Sequence, residues 1–420
     1  MGNFKIVKSE LLYYEGDETV VDVPEGVKNI LKNSFVKCNK VVKINFANTV
    51  KSIEERAIYN CRELKSVNIP ENIENIGMGM TYGFNGETIT VNSDNKRYSD
   101  GEGKNCIIDK KERKLVLGCK TSIIPLTVNI IGNSSFRGCH TIRSIVIPST
   151  IERIEDYAFC GCENLKKITI PESVKYIGKN AFWGCKLLKS INISNAVKEI
   201  REGTFSYCSN LEYINLPDGL ESIEKEAFSY CSSLKRINIS DKVREIGERA
   251  FELCGAMEEV RLPENLEIIG EGAFYSCINL KKINMPIALK IIGKQAFYNN
   301  AGISRVRIPS NVTEITEEVF LGCSNLKKVI IPKSVKQIGD RAFSGCYKLK
   351  EIDIPSGVNR IENNAFAFCS GMKKVTITGN AIVMCNNIFL HCDNLVIYCE
   401  NKTVAQEYAK NNKIRYRIIN

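Results

Sequence analysis

The residues with the most obvious chemistry are eighteen cysteines, set against only two histidines. Thirteen of the cysteines recur at 23-residue steps: Cys38 and Cys61, then Cys139, Cys162, Cys185, Cys208, Cys231, Cys254, Cys277, Cys323, Cys346, Cys369 and Cys392. Cys106, Cys119, Cys160, Cys385 and Cys399 fall elsewhere. An odd number of cysteines at a fixed step argues against a disulfide scaffold. It predicts a column of small buried thiols, one per repeat, in a reducing compartment. Near the C-terminus, Cys385, His391, Cys392 and Cys399 are zinc-competent side chains. Their spacing matches none of the close Cys pairs of zinc sites, and Cys392 belongs to the buried column, so no metal site and no cofactor is expected. His140 and His391 each adjoin a column cysteine, which leaves no nucleophile-and-base pair, and no Gly-rich phosphate loop precedes a long helix. The expected function is therefore not enzymatic.

A second pattern could bind charge. The pairs Lys166-Lys167, Lys189-Ser190, Lys235-Arg236, Lys281-Lys282, Lys327-Lys328, Lys350-Glu351 and Lys373-Lys374 occupy one place in the repeat. Stacking would align them on one face, as a guard against edge aggregation or as a track for an acidic partner. Glu212-Tyr213 and Glu258-Glu259 interrupt the run, which argues against nucleic acid as the designed ligand. Beside it Asn192, Asn215, Asn238 and Asn284 should point outward, where amides could hold a peptide or a sugar. The candidate contacts are thus Lys166, Lys167, Lys189, Asn192, Tyr213, Asn215, Lys235, Arg236, Asn238, Lys281, Lys282, Asn284, Lys327 and Lys328. Trp183, Tyr207, Tyr230 and Phe368, each just before a column cysteine, are candidate aromatic anchors.

The elements that must position these residues follow from one unit: Pro148, Ile151, Ile154, Ala158-Phe159, Cys162, Leu165, Ile168, Ile170, then Pro171. These steps fit neither a continuous helix nor a continuous strand, so the chain turns within each unit. Leu165-x-x-Ile168-x-Ile170 ends in strand alternation, and the proline marks a corner. After the second isoleucine comes Gly178, Gly247, Gly270, Gly293 or Gly339 in some units and Glu155, Glu224 or Glu362 in others. That tolerance predicts a turn opening a short helix, with Ala and Phe facing inward. A single unit cannot bury this stripe alone, so the units must stack. Fifteen units, with strands about 4.8 Å apart, would give a body on the order of 70 Å long.

The predicted organisation is an N-terminal capping hairpin at 1–23, with strands near Leu11-Leu12-Tyr13-Tyr14 and Thr19–Val23 about Gly16-Asp17. Three repeats at 24–91 follow, then an insertion at 92–124 that reads as a hairpin projecting from the solenoid edge. Twelve contiguous repeats fill 125–399. At 400–420, Thr403 and Gln406 have capping-box spacing, predicting a short helix and a last strand as a cap. The net charge of +10 on 420 residues permits a polyanion partner without demanding one. No apolar run of membrane-spanning length occurs, and the opening residues lack a secretory pattern, so no membrane insertion is expected. The missing signal and reduced cysteines point to the cytoplasm or to a leader upstream.

The unit I-P-x-x-V-x-x-I-G-x-x-A-F-x-x-C-x-x-L-x-x-I-x-I-P, displayed almost without departure from Pro171 to Cys185, resembles the BspA-type leucine-rich repeat. The insertion, with Tyr98-Ser99-Asp100 and Cys106–Asp109, and the tail, with Ile397-Tyr398 and Ala405–Ala409, are similar to elements of that family. The resemblance implies an α/β solenoid: a right-handed superhelix of short parallel strands and short helical turns. It also implies a cell-surface location and an adhesive role, because most such proteins are at the cell surface and several of them are adhesins. The expected function is a protein-binding or adhesion module using the strand face, for a protein partner that could be acidic, with a carbohydrate as a further possible ligand. The alternative is an intracellular scaffold for protein assembly. The oligomeric state is left open.

Overall fold

The computed structural model describes residues 3–379 and 383–419. The chain divides into two compact units, Met1–Pro217 and Asp218–Asn420, and each is a stack of short parallel-stranded coils. Within a coil the chain makes two strands and a turn-rich corner. The first strand, typified by Lys167–Thr169, pairs in register with its equivalent one coil away (Ser144↔Lys167, Ile145↔Ile168). We call this column the front ladder. The second strand is only two residues long, as at Tyr176–Ile177, and forms a side ladder (Arg153↔Tyr176, Ile154↔Ile177). In the second unit the front ladder includes Arg305–Arg307 with Lys328–Ile330, and Glu351–Ile354 with Lys374–Ile377 and Val396–Cys399. Alternation sends Ile168, Val329 and Val375 inward and their neighbours to solvent.

The corner differs from the expected short helix. Its N–H groups alternate between two destinations: those of Tyr157, Phe159 and Gly161 donate to the next coil's Lys179, Ala181 and Trp183 carbonyls, at 2.9, 2.8 and 2.6 Å. Those of Ala158, Cys160 and Cys162 donate three residues back within the turn. A helix would keep every bond local, whereas this corner spends half of them on stacking. The alternation needs two left-handed residues per coil, Tyr157 (φ 57°) and Gly161 (φ 72°) in this one. Among the described residues the one α-helix is Val404–Asn411.

Inside the corner run the Phe and Cys columns. In the first unit Phe136, Phe159, Phe182 and Phe205 stack with centroids 5.1, 5.4 and 5.5 Å apart and planes within 6°. The second unit repeats this from Phe228 to Phe389, with centroids 5.2–5.6 Å apart throughout. Such spacing lets parallel rings sit offset, the favourable geometry for stacked aromatics.

Two peripheral segments depart from expectation. The N-terminal hairpin joins Asn3–Val7 to Glu10–Glu15 through Lys8 and Ser9, whose φ values of 48° and 70° make the tight hairpin turn. Val20–Asp22 is not its second arm but a rung of the front ladder, parallel to Lys43–Asn45. The insertion does form a hairpin, Ile107–Asp109 with Lys114–Leu117, yet it does not project. Lys114–Leu115 pairs in parallel with Ile130–Ile131, so the hairpin serves as a rung of the side ladder. Cys106, Ile107, Leu115 and Cys119 are fully buried by this docking. Arg97 pairs with the buried Asp109 at 2.9 Å, and Asp109 also accepts from the N–H groups of Lys111 and Glu112 to close the charged turn.

At the C-terminus Thr403 caps the helix, accepting from Gln406 N at 3.4 Å, while the Gln406 side chain accepts from Lys402 N at 2.8 Å. Arg415–Ile418 then adds a last parallel strand beside Val396–Cys399. Met1, Gly2 and Asn420 of the two expected caps lie outside the described residues, as do positions 380–382 of the repeat run.

Candidate binding face

The cysteine column is a hydrogen-bonding device. Cys162, Cys185, Cys254, Cys277 and Cys346 each donate from Sγ to the carbonyl of the Phe 26 residues earlier, at 3.1–3.4 Å. A donor must carry its proton, and burial holds these thiols in that form: Cys277 and Cys323 are pushed up to about 12, Cys162 and Cys254 well above the ordinary value. The coil where Asn300 stands in place of the cysteine makes the same contact, the Asn300 amide donating to Phe274 O at 2.7 Å. Protonated, buried thiols are poor nucleophiles and poor ligands.

The zinc-competent set is not brought together. Cys385 donates to Glu362, Cys392 donates to Phe366 O, His391 stacks on Phe368 at 4.9 Å, and Cys399 is buried beside Thr403. Among the described residues no group of three or more His, Cys, Asp or Glu is placed to hold a metal ion. None of the helices there is long and apolar enough to cross a membrane.

The front ladder does gather the lysine columns. In the first unit Lys166, Lys167 and Lys189 are exposed, and Tyr213 stands in register with Ser190, half its surface open. Asn215 donates to Asn192 at 3.0 Å, forming an amide ladder between adjacent rungs. In the second unit Lys235, Arg236 and Asn238 are exposed, Asn238 bridging to Arg261. Asn284 does not point freely outward. It accepts from Leu262 N at 2.7 Å and donates to Leu262 O at 3.0 Å, so its amide acts as a surrogate peptide where the ladder stops at Val260.

The decisive feature is how charge is handled along this face. Elsewhere each unit neutralises lysines by pairing adjacent coils: Lys51–Glu74, Lys175–Glu152 and Lys179–Glu202 in the first, Lys225–Glu248 and Lys294–Glu317 in the second, all at 2.9–3.0 Å. On the front ladder of the second unit the same pairing joins Lys281 to Glu258 at 3.2 Å and Lys282 to Glu259 at 3.7 Å. Glu258 and Glu259, one of the two interruptions of the lysine run, are thus the partners of its next pair. Beyond them the pairing ends. Arg305, Arg307, Lys327, Lys328, Lys350 and Lys373 are exposed and make no ion pair among the described residues. Arg305 lies directly opposite Lys328, and the Lys373 N–H bonds to Lys350 O, so like charges stand on neighbouring rungs. Glu351 and Asp353 are the front-ladder carboxylates in this stretch. Lys374 lies over the Tyr398 ring at 5.0 Å. Arg305 and Arg307 are absent from the lysine pattern, although the 23-residue register places Arg305 on the column of Lys282 and Lys328, and Arg307 on the asparagine column of Asn284.

The aromatics before the cysteines pack locally: Trp183 against Tyr207 at 5.2 Å, and Phe368 against His391. All remain partly exposed.

The profile of the BspA type leucine-rich repeat region matches in six copies over residues 5–110, 118–235, 198–327 and 290–414. A leucine-rich repeat protein from Bacteroides ovatus has a similar structure over 100% of this chain and 98% of its own, at 26% identity and a TM-score of 0.67. A leucine-rich cell surface protein from Faecalibacterium prausnitzii is similar at 22% identity and a TM-score of 0.48, covering 97% and 95%. The pneumococcal vaccine antigen PcpA is similar at 18% identity and a TM-score of 0.37, covering 96% and 79%. No curated protein matches the chain.

Proposed function

The chain belongs to the BspA-type leucine-rich repeat family, and we propose that it is a non-catalytic binding or adhesion module whose front ladder receives an acidic protein surface. Proteins of this family are generally non-catalytic and typically serve protein binding or surface adhesion. One observation carries the reading: the unpaired run Arg305, Arg307, Lys327, Lys328, Lys350 and Lys373 sits beside a stretch of the same ladder whose lysines are neutralised. Like charges on adjacent rungs, about 4.8 Å apart, cost stability. In water the cost is on the order of 1 kcal/mol or less per pair. A carboxylate at positions 350 or 373 would remove it, as Glu258 does for Lys281. An acidic partner removes it from outside and gains the attraction. In the first unit Lys166, Lys167, Lys189, Tyr213 and the Asn192–Asn215 amides offer a similar chemistry of their own, with hydrogen-bonding groups for a peptide main chain.

The test is fluorescence anisotropy with a labelled acidic peptide of alternating glutamate and threonine. Lys327→Glu/Lys350→Glu/Lys373→Glu should weaken binding by at least about tenfold, a loss of about 1.4 kcal/mol, with the melting temperature unchanged or raised. Lys281→Glu/Lys282→Glu should weaken it much less, because those lysines are already engaged. Equal losses in the two variants, or none in the first, would return the run to a solubility role.

A further inference from the structure

The docked insertion creates a second surface that the repeat alone cannot make. A groove of about 590 Å³ lies in the first unit between the loop 99–104, the charged turn of the hairpin and the segment 123–127. Its wall includes Ile108, Ile123, Pro125 and Leu126. Ile123 is 60% exposed and Leu126 69%. The repeats supply an internal control for Leu126. The residue after the coil's proline is polar in most other coils (Ser149, Glu172, Glu264, Ser310, Lys333 and Ser356) and apolar at Ile287, so stacking does not require an apolar side chain there. The loop is held rigidly. Gly103 N donates to Asp100 Oδ1 and Lys104 N to Asp100 O, both at 3.1 Å. Gly101, at φ +70°, brings the backbone so close to Ile108 and Pro125 that a side chain would meet them at 2.9 and 3.1 Å. A preformed cleft of this size, with an apolar wall and a polar rim, is the usual form of a recognition site.

The rim says what the cleft would take. Lys104, Lys110 and Arg113 line it, against the single carboxylate of Glu102. Lys110 spends one donor on Asn95 O and Arg113 spends Nε on Thr127 O, so each keeps further donors for a ligand. From this charge complementarity we infer that the groove docks a protein segment in which a branched or aromatic side chain is flanked by carboxylates, the side chain entering between Ile123 and Leu126. This surface is separate from the front ladder and does not depend on it.

Because an acidic peptide could also reach the front ladder, binding is measured on the full chain in the Lys327→Glu/Lys350→Glu/Lys373→Glu background. The probe is a fluorescein-labelled peptide with leucine and phenylalanine between glutamates, beside one with lysines for the glutamates and one with alanines for the apolar residues. The acidic apolar peptide should bind at least about tenfold more tightly than either. Leu126→Ser, the residue a neighbouring coil carries in that place, should weaken it about tenfold without lowering the melting temperature, and Arg113→Glu should do likewise. Three peptides that bind alike, or not at all, would overturn the inference, as would undiminished binding by a folded Leu126→Ser variant. Failure of the front-ladder reading would leave these outcomes unaltered.

Discussion

In the second unit, the corner and the front ladder are built on the same 23-residue step but treat substitution differently. In the corner the chemistry is preserved coil after coil: Phe stacks on Phe, and a donor reaches the carbonyl of the Phe in the preceding coil. Where the cysteine is replaced, Asn300 makes that bond at 2.7 Å. On the front ladder the chemistry changes from rung to rung, from Glu258-Glu259 to Lys281-Lys282 to Lys327-Lys328. The corner is where coils must fit one another, so its residues answer to packing at near-crystalline density. The front rungs meet solvent and are free to answer to a partner. In a repeat protein, functional information therefore lies in departures from the repeat, read against the neighbours that keep it.

The contrast can be broken at the corner first, by alkaline pH. Its thiols titrate higher folded than unfolded, with Cys277 and Cys323 near 12 against an ordinary 9.0. Stability from this source is fully present below the unfolded value and is lost as pH rises through the folded values. The urea midpoint should fall steeply between about pH 9 and pH 12, and a flat profile would mean the column is not a set of protonated donors. Next, Phe320→Ala should cost about 3–5 kcal/mol by denaturant titration and leave acidic-peptide affinity of the folded protein unchanged. Asn300→Ala should cost about 0.5–1.5 kcal/mol, since it leaves Phe274 O only the 3.4 Å bond from Cys277 N, whereas Asn300→Cys should be nearly neutral. The smallest effect sharpens the front ladder itself. Lys282→Gln loses its partner Glu259 and should lower stability by up to about 1 kcal/mol. Lys328→Gln relieves repulsion from Arg305 and should leave stability unchanged or slightly raised. Melting curves giving the two the same sign would remove the distinction.

Much of the fold was legible because burial dictates residue type. Period 23, the inward Phe and Cys, the short parallel strands and the Thr403–Gln406 cap all follow from which side chains recur. What was not legible depends on partners that leave no local mark. The left-handed corner residues include Tyr157, Asn180, Glu226, Arg249 and Gln295, which carry no glycine signal, so the corner read as a helical turn. Alternation at 10–14 and at 19–23 looked alike, and the choice of hairpin partner rested on Lys8-Ser9. The insertion's two strands were visible, but their docking came from burial of Cys106, Leu115 and Leu117 against the coils. At the candidate site, Asn284 and Asn215 hold the same repeat position. They differ because the ladder ends at Val260 beside the first and continues beside the second, which no side-chain pattern records. The lysine columns were visible. Which of them are neutralised became clear only once Glu258 and Glu259 were placed one coil from Lys281 and Lys282.

The most direct test of an unneutralised binding run is a lysine acetylation footprint of the full chain, read residue by residue by mass spectrometry with and without the glutamate–threonine peptide. Protection should fall on Lys327, Lys328, Lys350 and Lys373 and spare Lys281 and Lys282. Protection spread evenly over the front lysines, or confined to the paired ones, would contradict the account.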